Sequence, residues 1–198
     1  MQLGFAILLP DEVHNAVRRL QLQVAQACGV NPALKLYPHI TLKQPFHAKE
    51  LAPVEAYFDE LVRTTTPIEL TLEGIHRFQT DEVAFIGVET PPRLEHLRQE
   101  VLHELRARLG VKPRDIEDER YRFHVTVAYN LPPGAFGGAW EAVEHAEARF
   151  RFAADEFGLF YYTGDEWILY KRSRLAGPGP GGLGAESPRR RGGPAGPT

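Results

Sequence analysis

Two short stretches of this 198-residue chain nearly repeat each other: P-H-I-T-L at Pro38 to Leu42 and F-H-V-T-V at Phe123 to Val127. Side chains alternate between the two faces of a β-strand, so each stretch puts a histidine and a threonine on one face and apolar residues on the other. His39 and Thr41 stand opposite Ile40 and Leu42; His124 and Thr126 stand opposite Phe123, Val125 and Val127. Half-buried strands are the reading. Burial accounts for the apolar face, but it gives no reason for a second His-x-Thr on the open one. Two imidazoles brought together make an acid/base pair that works near neutral pH.

The surroundings of the two stretches repeat as well. Gln2 to Leu9 reads as a strand ended by Pro10. Asp11 then caps a helix reaching Ala27, with Val13, Val17, Leu20 and Val24 on one side and Gly29 to stop it. Strand Leu36 to Leu42 carries the first motif, a helix follows from Lys49 to Arg63, and Ile68 to Phe78 alternates as a strand into a turn at 79–82. The order then restarts: strand Val83 to Val88, a helix from Pro91 and Pro92 to Leu109, and the second motif on Arg122 to Ala128. A weaker helix at Trp140 to Ala148 leads to strands at Phe150 to Ala153, Phe157 to Tyr162 and Trp167 to Lys171. Each unit runs about 35 to 40 residues from its first strand to its histidine, a repeat that chance explains poorly. The expected fold class is α+β: two similar lobes, residues 1–82 and 83–175, each with an antiparallel sheet and flanking helices, related by a pseudo-twofold axis with a cleft between them.

Composition narrows the functions. The net charge of −3 includes a Gly/Pro-rich segment, 176–198, with three arginines against one glutamate, leaving 20 basic and 25 acidic residues elsewhere. An acidic body does not coat nucleic acid, whose nonspecific binding needs many neutralised phosphates; a local pocket for one phosphate remains allowed. The segment 176–198 has almost nothing to bury and is expected to be disordered. A single cysteine, Cys28, permits no intrachain disulfide and no thiolate metal cage. The N-terminal apolar run lacks the lead-in and cleavage pattern of a secretory signal, and no run approaches the roughly 20 residues that span a bilayer. A cytoplasmic monomer without membrane contact is expected.

Paired H-x-[ST]-x motifs, here 85 residues apart, resemble those of the 2H phosphoesterase superfamily, especially its branch of RNA 2',3'-cyclic phosphodiesterases, historically called 2'-5' RNA ligases. The resemblance covers residues 1 to 172 in layout; its specific part is His39 to Leu42 and His124 to Val127. It implies that both motif strands face a central cleft with His39 and His124 on either side of one phosphate. One histidine would activate water, the other protonate the leaving 3'-oxygen, and Thr41 and Thr126 would bind the nonbridging oxygens. It implies no metal and no cofactor, and as partners RNA ends or nucleotides bearing a cyclic phosphate. Run backwards, the same chemistry joins RNA through a 2'-5' linkage.

Alternation extends the site beyond the motifs. Tyr37, His39, Thr41 and Lys43 share one face of the first strand, and Arg122, His124, Thr126 and Ala128 one face of the second, so Lys43 and Arg122 are candidates to hold the phosphate. Tyr37, Phe46, Phe78, Phe160, Tyr161 and Tyr162 are available for base stacking, although core packing is the plainer role for each. His14, His96, His103 and His145 read as helix-surface residues, and His47 and His76, near predicted strand ends, keep the plain reading over an approach to the cleft. Specificity is assigned to loops 44–49, 112–120 and 131–138. Two other readings stay open: a phosphoesterase of the same superfamily acting on a 2'-5' oligoadenylate, a cyclic ADP-ribose phosphate or a nucleotidyl adduct, and a noncatalytic RNA-binding module.

Overall fold

The computed structural model describes residues 1–78, 80–117 and 121–176. Eight strands and four α-helices follow in the order β1 (Gln2–Leu8), α1 (Asp11–Cys28), β2 (His39–His47), α2 (Ala52–Thr64), β3 (Ile68–Phe78), β4 (Val83–Val88), α3 (Pro92–Leu109), β5 (His124–Ala128), α4 (Phe136–Val143), β6 (Arg149–Ala154), β7 (Glu156–Tyr162) and β8 (Trp167–Arg174). One sheet has the order β2-β1-β7-β8 and the other β5-β4-β3-β6, with antiparallel pairing throughout. The α+β class and the two antiparallel sheets are as expected.

The strands are divided differently from the expected split at 82/83. β3 leaves the first repeat to pair with β4 and β6, and β7 and β8 return to complete the sheet begun by β1 and β2. Hairpin formation explains the first exchange, since Phe78 and Val83 pair across a short turn. One sheet therefore draws on both ends of the described chain and the other on its middle. The segment 177–198, expected to be disordered, lies outside the described residues.

Periodicity accounts for most of the elements. In α1, Val13, Val17, Leu20 and Val24 are buried as expected, and Gly29 ends the helix in the left-handed region at φ 76°. Asp11 is not its cap: Pro10 occupies that place, and Asp11 and Glu12 fall in the first turn, where their charge complements the helix dipole. β2 starts at His39, three residues later than expected, because a 3-10 turn at Pro32–Lys35 precedes it, and it runs on through Pro45 to His47. An edge strand tolerates that proline. β5 likewise starts at His124, which leaves Arg122 just before the strand. The fourth helix forms upstream of its expected place, over Phe136–Val143, and buries Ala139 and Val143.

One hydrophobic core runs through both halves, joining Leu3, Phe5 and Ile7 of β1 to Val125 and Val127 of β5. The helices cross over. α1 lies against β5 and α4, and α3 lies against β2, so each motif strand is backed by the helix of the other repeat. A second, smaller apolar group, Ala6, Leu8 and Phe160, lies on the opposite face of the first sheet with Tyr37, Trp167 and Leu169 around it. Among the described residues no helix is long and apolar enough to cross a membrane.

Candidate active site

β2 and β5 are both edge strands, and both carry a β-bulge at the same place in the motif. Leu42 is the extra residue opposite the Phe5–Ala6 step, and Val127 the extra residue opposite the Ala84–Phe85 step. Each bulge therefore falls one residue after the motif threonine. Bulges bend a strand and re-aim its side chains, and here they end the alternation that places His and Thr on one face.

Up to the bulge, alternation holds. His39, Thr41, His124 and Thr126 are all half-buried and all line one cavity of about 270 Å3, while Ile40, Val125 and their neighbours are buried in the core. Gly4 and Ala6 of β1 are small enough to leave room for that cavity, and Phe160 of β7 and Trp167 of β8 form part of its wall. The sequence thus put the four motif residues in one place, and the structure brings them together.

The two histidines are held alike. His39 Nδ1 lies 2.6 Å from the Tyr37 carbonyl oxygen, and His124 Nδ1 lies 2.8 Å from that of Arg122. A carbonyl can only accept, so in both rings Nδ1 carries a hydrogen and donates it, and Nε2 is the nitrogen left for chemistry. His39 Nε2 lies 3.2 Å from Thr41 Oγ1, whose hydroxyl donates to it in the neutral ring. His39 also packs on Phe160, with ring centroids 4.8 Å apart. His124 meets the Phe78 and Phe85 rings edge-on, at 5.2 and 5.3 Å.

Electrostatics favour the neutral rings. Burial lowers the pKa of His39 below the usual imidazole value, the bond to the Tyr37 carbonyl opposes this, and His124 adds to the lowering. For His124, burial again leads, the Arg122 carbonyl opposes, and the Arg122 guanidinium lowers it further. Both rings thus sit below the ordinary imidazole range before a substrate arrives. An anion placed between them would supply the opposite charge that lets one ring take up a proton.

Lys43 is a candidate whose charge is already paired. It borders the cavity, but its side chain is fully buried, and Nζ donates to Glu117 Oε2 at 2.6 Å and to the Gln44 carbonyl at 3.2 Å. The bulge at Leu42 breaks the alternation that would have kept Lys43 beside Thr41, and the ammonium is committed to a carboxylate. Glu117 in turn accepts from the backbone N–H groups of Gln44 and Arg114, both at 2.8 Å, so its charge is answered on all sides.

Arg122 is exposed and lines a neighbouring hollow of about 390 Å3 with His76, Glu73 and Glu89, outside the cavity of the two histidines. Its guanidinium lies over the Phe85 and Phe78 rings, at 5.6 and 6.0 Å. Of the candidate aromatics, Phe160 lines the cavity, Phe78 and Tyr37 support the histidines, and Phe46 belongs to the core. His14 is half-buried against Tyr37 at 4.6 Å, where a surface position was expected.

Trp167 and Tyr129 line the cavity without having been singled out by sequence. Trp167 carries a faint signal, a tryptophan opening a strand that alternates beside an aromatic one. Tyr129 carries none, because it follows the bulge.

A family model described as the 2'-5' RNA ligase superfamily matches residues 9–166. A protein of Geobacillus kaustophilus named "Putative phosphoesterase" is 25% identical over 181 residues, covering 89% of this chain and 98% of its own. One of Geobacillus thermodenitrificans with the same name is 27% identical over 137 residues, covering 67% and 75%. Among solved structures, TT0787 of Thermus thermophilus superimposes with a TM-score of 0.64 at 19% identity, over 89% of this chain and 99% of that one. E. coli LigT complexed with 3'-AMP gives 0.61 at 21% identity, over 89% and 98%. At such identities the two structures speak for the fold alone.

Proposed function

This chain belongs to the 2'-5' RNA ligase superfamily, and from that premise we propose that it is a metal-independent phosphodiesterase that opens 2',3'-cyclic phosphates of RNA or nucleotides to 2'-phosphates. The observation that carries the reading is the matched pair of imidazoles: two histidines, each pinned through Nδ1 to the carbonyl two residues earlier, lining one cavity together with both motif threonines.

In that cavity the cyclic phosphate sits between the rings. One neutral Nε2 takes a proton from water as the water oxygen bonds to phosphorus. The other ring, protonated, gives its Nε2 hydrogen to the 3'-oxygen as the P–O3' bond breaks, leaving a 3'-hydroxyl and a 2'-phosphate. Thr126, and Thr41 once its hydroxyl turns from His39 Nε2 to the phosphate, donate hydroxyl hydrogens to the nonbridging oxygens, where charge grows in the transition state. With an RNA 5'-hydroxyl in place of water the same step, with the histidines in the same roles, breaks P–O3' and forms a 2'-5' linkage; in the reverse cleavage of that linkage the two histidines exchange roles. Arg122 contributes positive charge at the rim beside His124. The complex of LigT with 3'-AMP fits this reading, since that relative of the same fold takes a nucleotide bearing a phosphate.

Product analysis on a 2',3'-cyclic nucleotide and on cyclic-ended RNA tests it. Wild type is expected to yield 2'-phosphate with or without EDTA, and His39→Ala or His124→Ala to lower kcat by about 10²- to 10⁴-fold. If wild type leaves both substrates intact, the substrate assignment is wrong; if EDTA abolishes turnover, the metal-independent mechanism is wrong.

A further inference from the structure

An edge strand has one row of backbone groups without ladder partners, and both motifs lie on edge strands. On β2 the Thr41 carbonyl accepts a hydrogen bond from the Tyr121 hydroxyl at 3.1 Å. On β5 the Thr126 carbonyl accepts one from Gln21 Nε2 at 3.0 Å. Tyr121 belongs to the segment leading into β5, and Gln21 to α1, the helix that precedes β2. Each motif threonine is thus bonded, through its carbonyl, by a side chain from the stretch of chain that leads to the other motif.

Both donors are themselves fixed. Gln21 is 1% exposed in the middle of α1. Arg18 Nη1 donates to its Oε1 at 2.9 Å, which leaves Nε2 to face Thr126. Asn31 Nδ2 donates both to the Gln21 carbonyl, at 3.0 Å, and to the carbonyl of the bulge residue Val127, at 2.9 Å. On the other side, the Tyr121 ring lies under the Arg98 guanidinium at 4.9 Å and meets Phe123 edge-on at 5.1 Å. Its hydroxyl accepts from Gln44 Nε2 at 3.3 Å, and burial pushes the phenol up to about 12, so it remains a donor through the neutral range. These bonds satisfy polar groups that burial keeps from water, at the cost of immobilising the side chains that make them.

We propose that Tyr121 and Gln21 are positioning residues that act as reciprocal clamps, fixing the separation of the two motif strands and with it the gap between His39 and His124. The inference deepens the proposed function and rests on it for its catalytic part. Neither side chain is assigned contact with the substrate. Each acts through a threonine whose hydroxyl is used on one side of the strand while its carbonyl is held on the other. A displacement of about 1 Å in reacting groups costs on the order of 10²-fold in rate, so a gap held by two side-chain bonds is a sensitive place to loosen.

Tyr121→Phe keeps the ring and loses the donor; Gln21→Met keeps the length and loses the donor. In each variant kcat on a 2',3'-cyclic nucleotide is expected to fall about 10-fold or more while KM stays within about threefold, and the double variant to fall by less than the product of the two, since both loosen one gap. Crystal structures of the variants are expected to show β2 and β5 farther apart than in wild type. Unchanged kcat in both variants of an active enzyme overturns the proposal, as does a loss of kcat that only tracks the unfolded fraction. If wild type opens no cyclic phosphate, the proposed function falls first, and the clamps are judged on the crystals alone: unchanged strand separation in both variants overturns them.

Discussion

The two motif strands keep the same chemistry in the same geometry and support it by different means. Each anchors its histidine to the carbonyl two residues earlier, and each bulges one residue past its threonine. The position after the bulge is where they part. On β2 it holds Lys43, buried in an ion pair with Glu117, which ties the strand to the 3-10 turn at Asp115–Glu117. On β5 it holds Ala128, a small side chain fully buried in the core. Their walls differ too: His39 lies on Phe160 with Thr41 bonded to its Nε2, whereas His124 stands beside Phe78, Phe85 and Arg122. The proposed catalysis constrains where an imidazole and a hydroxyl point; it leaves open what is packed behind them.

The strongest way to break this comparison is through the histidines. If the two sides are equivalent in chemistry, His39→Ala and His124→Ala lower kcat by comparable factors, each about 10²- to 10⁴-fold. A loss of only a few-fold at one motif would mean that its histidine binds without transferring protons.

Next in size is the ion pair that only β2 possesses. Glu117→Ala leaves a buried ammonium without its carboxylate, and urea unfolding is expected to show a loss of about 3 to 5 kcal/mol. Lys43→Met combined with Glu117→Leu removes both charges and should recover part of that loss, since the Gln44 and Arg114 N–H groups still lose their acceptor. If the single variant is as stable as wild type, the pair does not distinguish the strands. Burial lowers the Lys43 pKa while Glu117 opposes the shift, so the pair alone gives no large reserve of stability.

The pH profile tests what the two sides share. Both histidine pKa values are lowered, chiefly by burial. The base therefore stays neutral to lower pH than an exposed imidazole, and the acid loses its proton earlier as pH rises. Because kcat/KM reports the free enzyme, its bell is expected to peak on the acid side of the usual imidazole pKa. The bound phosphate anion favours imidazolium, so the kcat optimum should be more alkaline. Coincident optima would show that the phosphate does not reset the rings.

Arg122 gives the smallest effect and a one-sided one. It lowers the His124 pKa from the rim, so in Arg122→Ala an NMR titration is expected to show His124 moving up and His39 nearly still. KM should rise only a few-fold, because an exposed guanidinium is well screened. Equal movement of both histidines would place the charge of Arg122 between them.

Most of the local structure was legible in the sequence because it follows from periodicity. β4 was placed residue for residue, and the buried positions of α1 fall where its apolar spacing put them. Sheet membership was not legible, since alternation within β7 says nothing about whether its partner is β1 or β6. The bulges were invisible for a sharper reason: Leu42 and Val127 are apolar, as unbroken alternation also requires. The pairing of Lys43 with Glu117 was not legible either, because it lies just beyond such a residue. Gln21 was not singled out, and Glu117 fell only within the 112–120 loop assigned to specificity, because a polar side chain on a helix or in a loop gives no sign that a buried partner awaits it.

The exchange of strands between the sheets also sets an order of assembly. The sheet of β3 to β6 lies within a continuous stretch of chain, whereas Phe5 of β1 finds its neighbour at Leu159 of β7, nearly the length of the domain away. Closing so long a loop is slow and comes late, and a ribosome delivers β7 only after the other sheet has emerged. Pulsed hydrogen-exchange labelling during refolding is expected to protect β3 and β4 before β1; simultaneous protection would contradict that order. Phe160, against which His39 rests, arrives with β7. A nascent chain therefore carries both histidines long before it has a finished pocket, and activity should switch on only with the final strands.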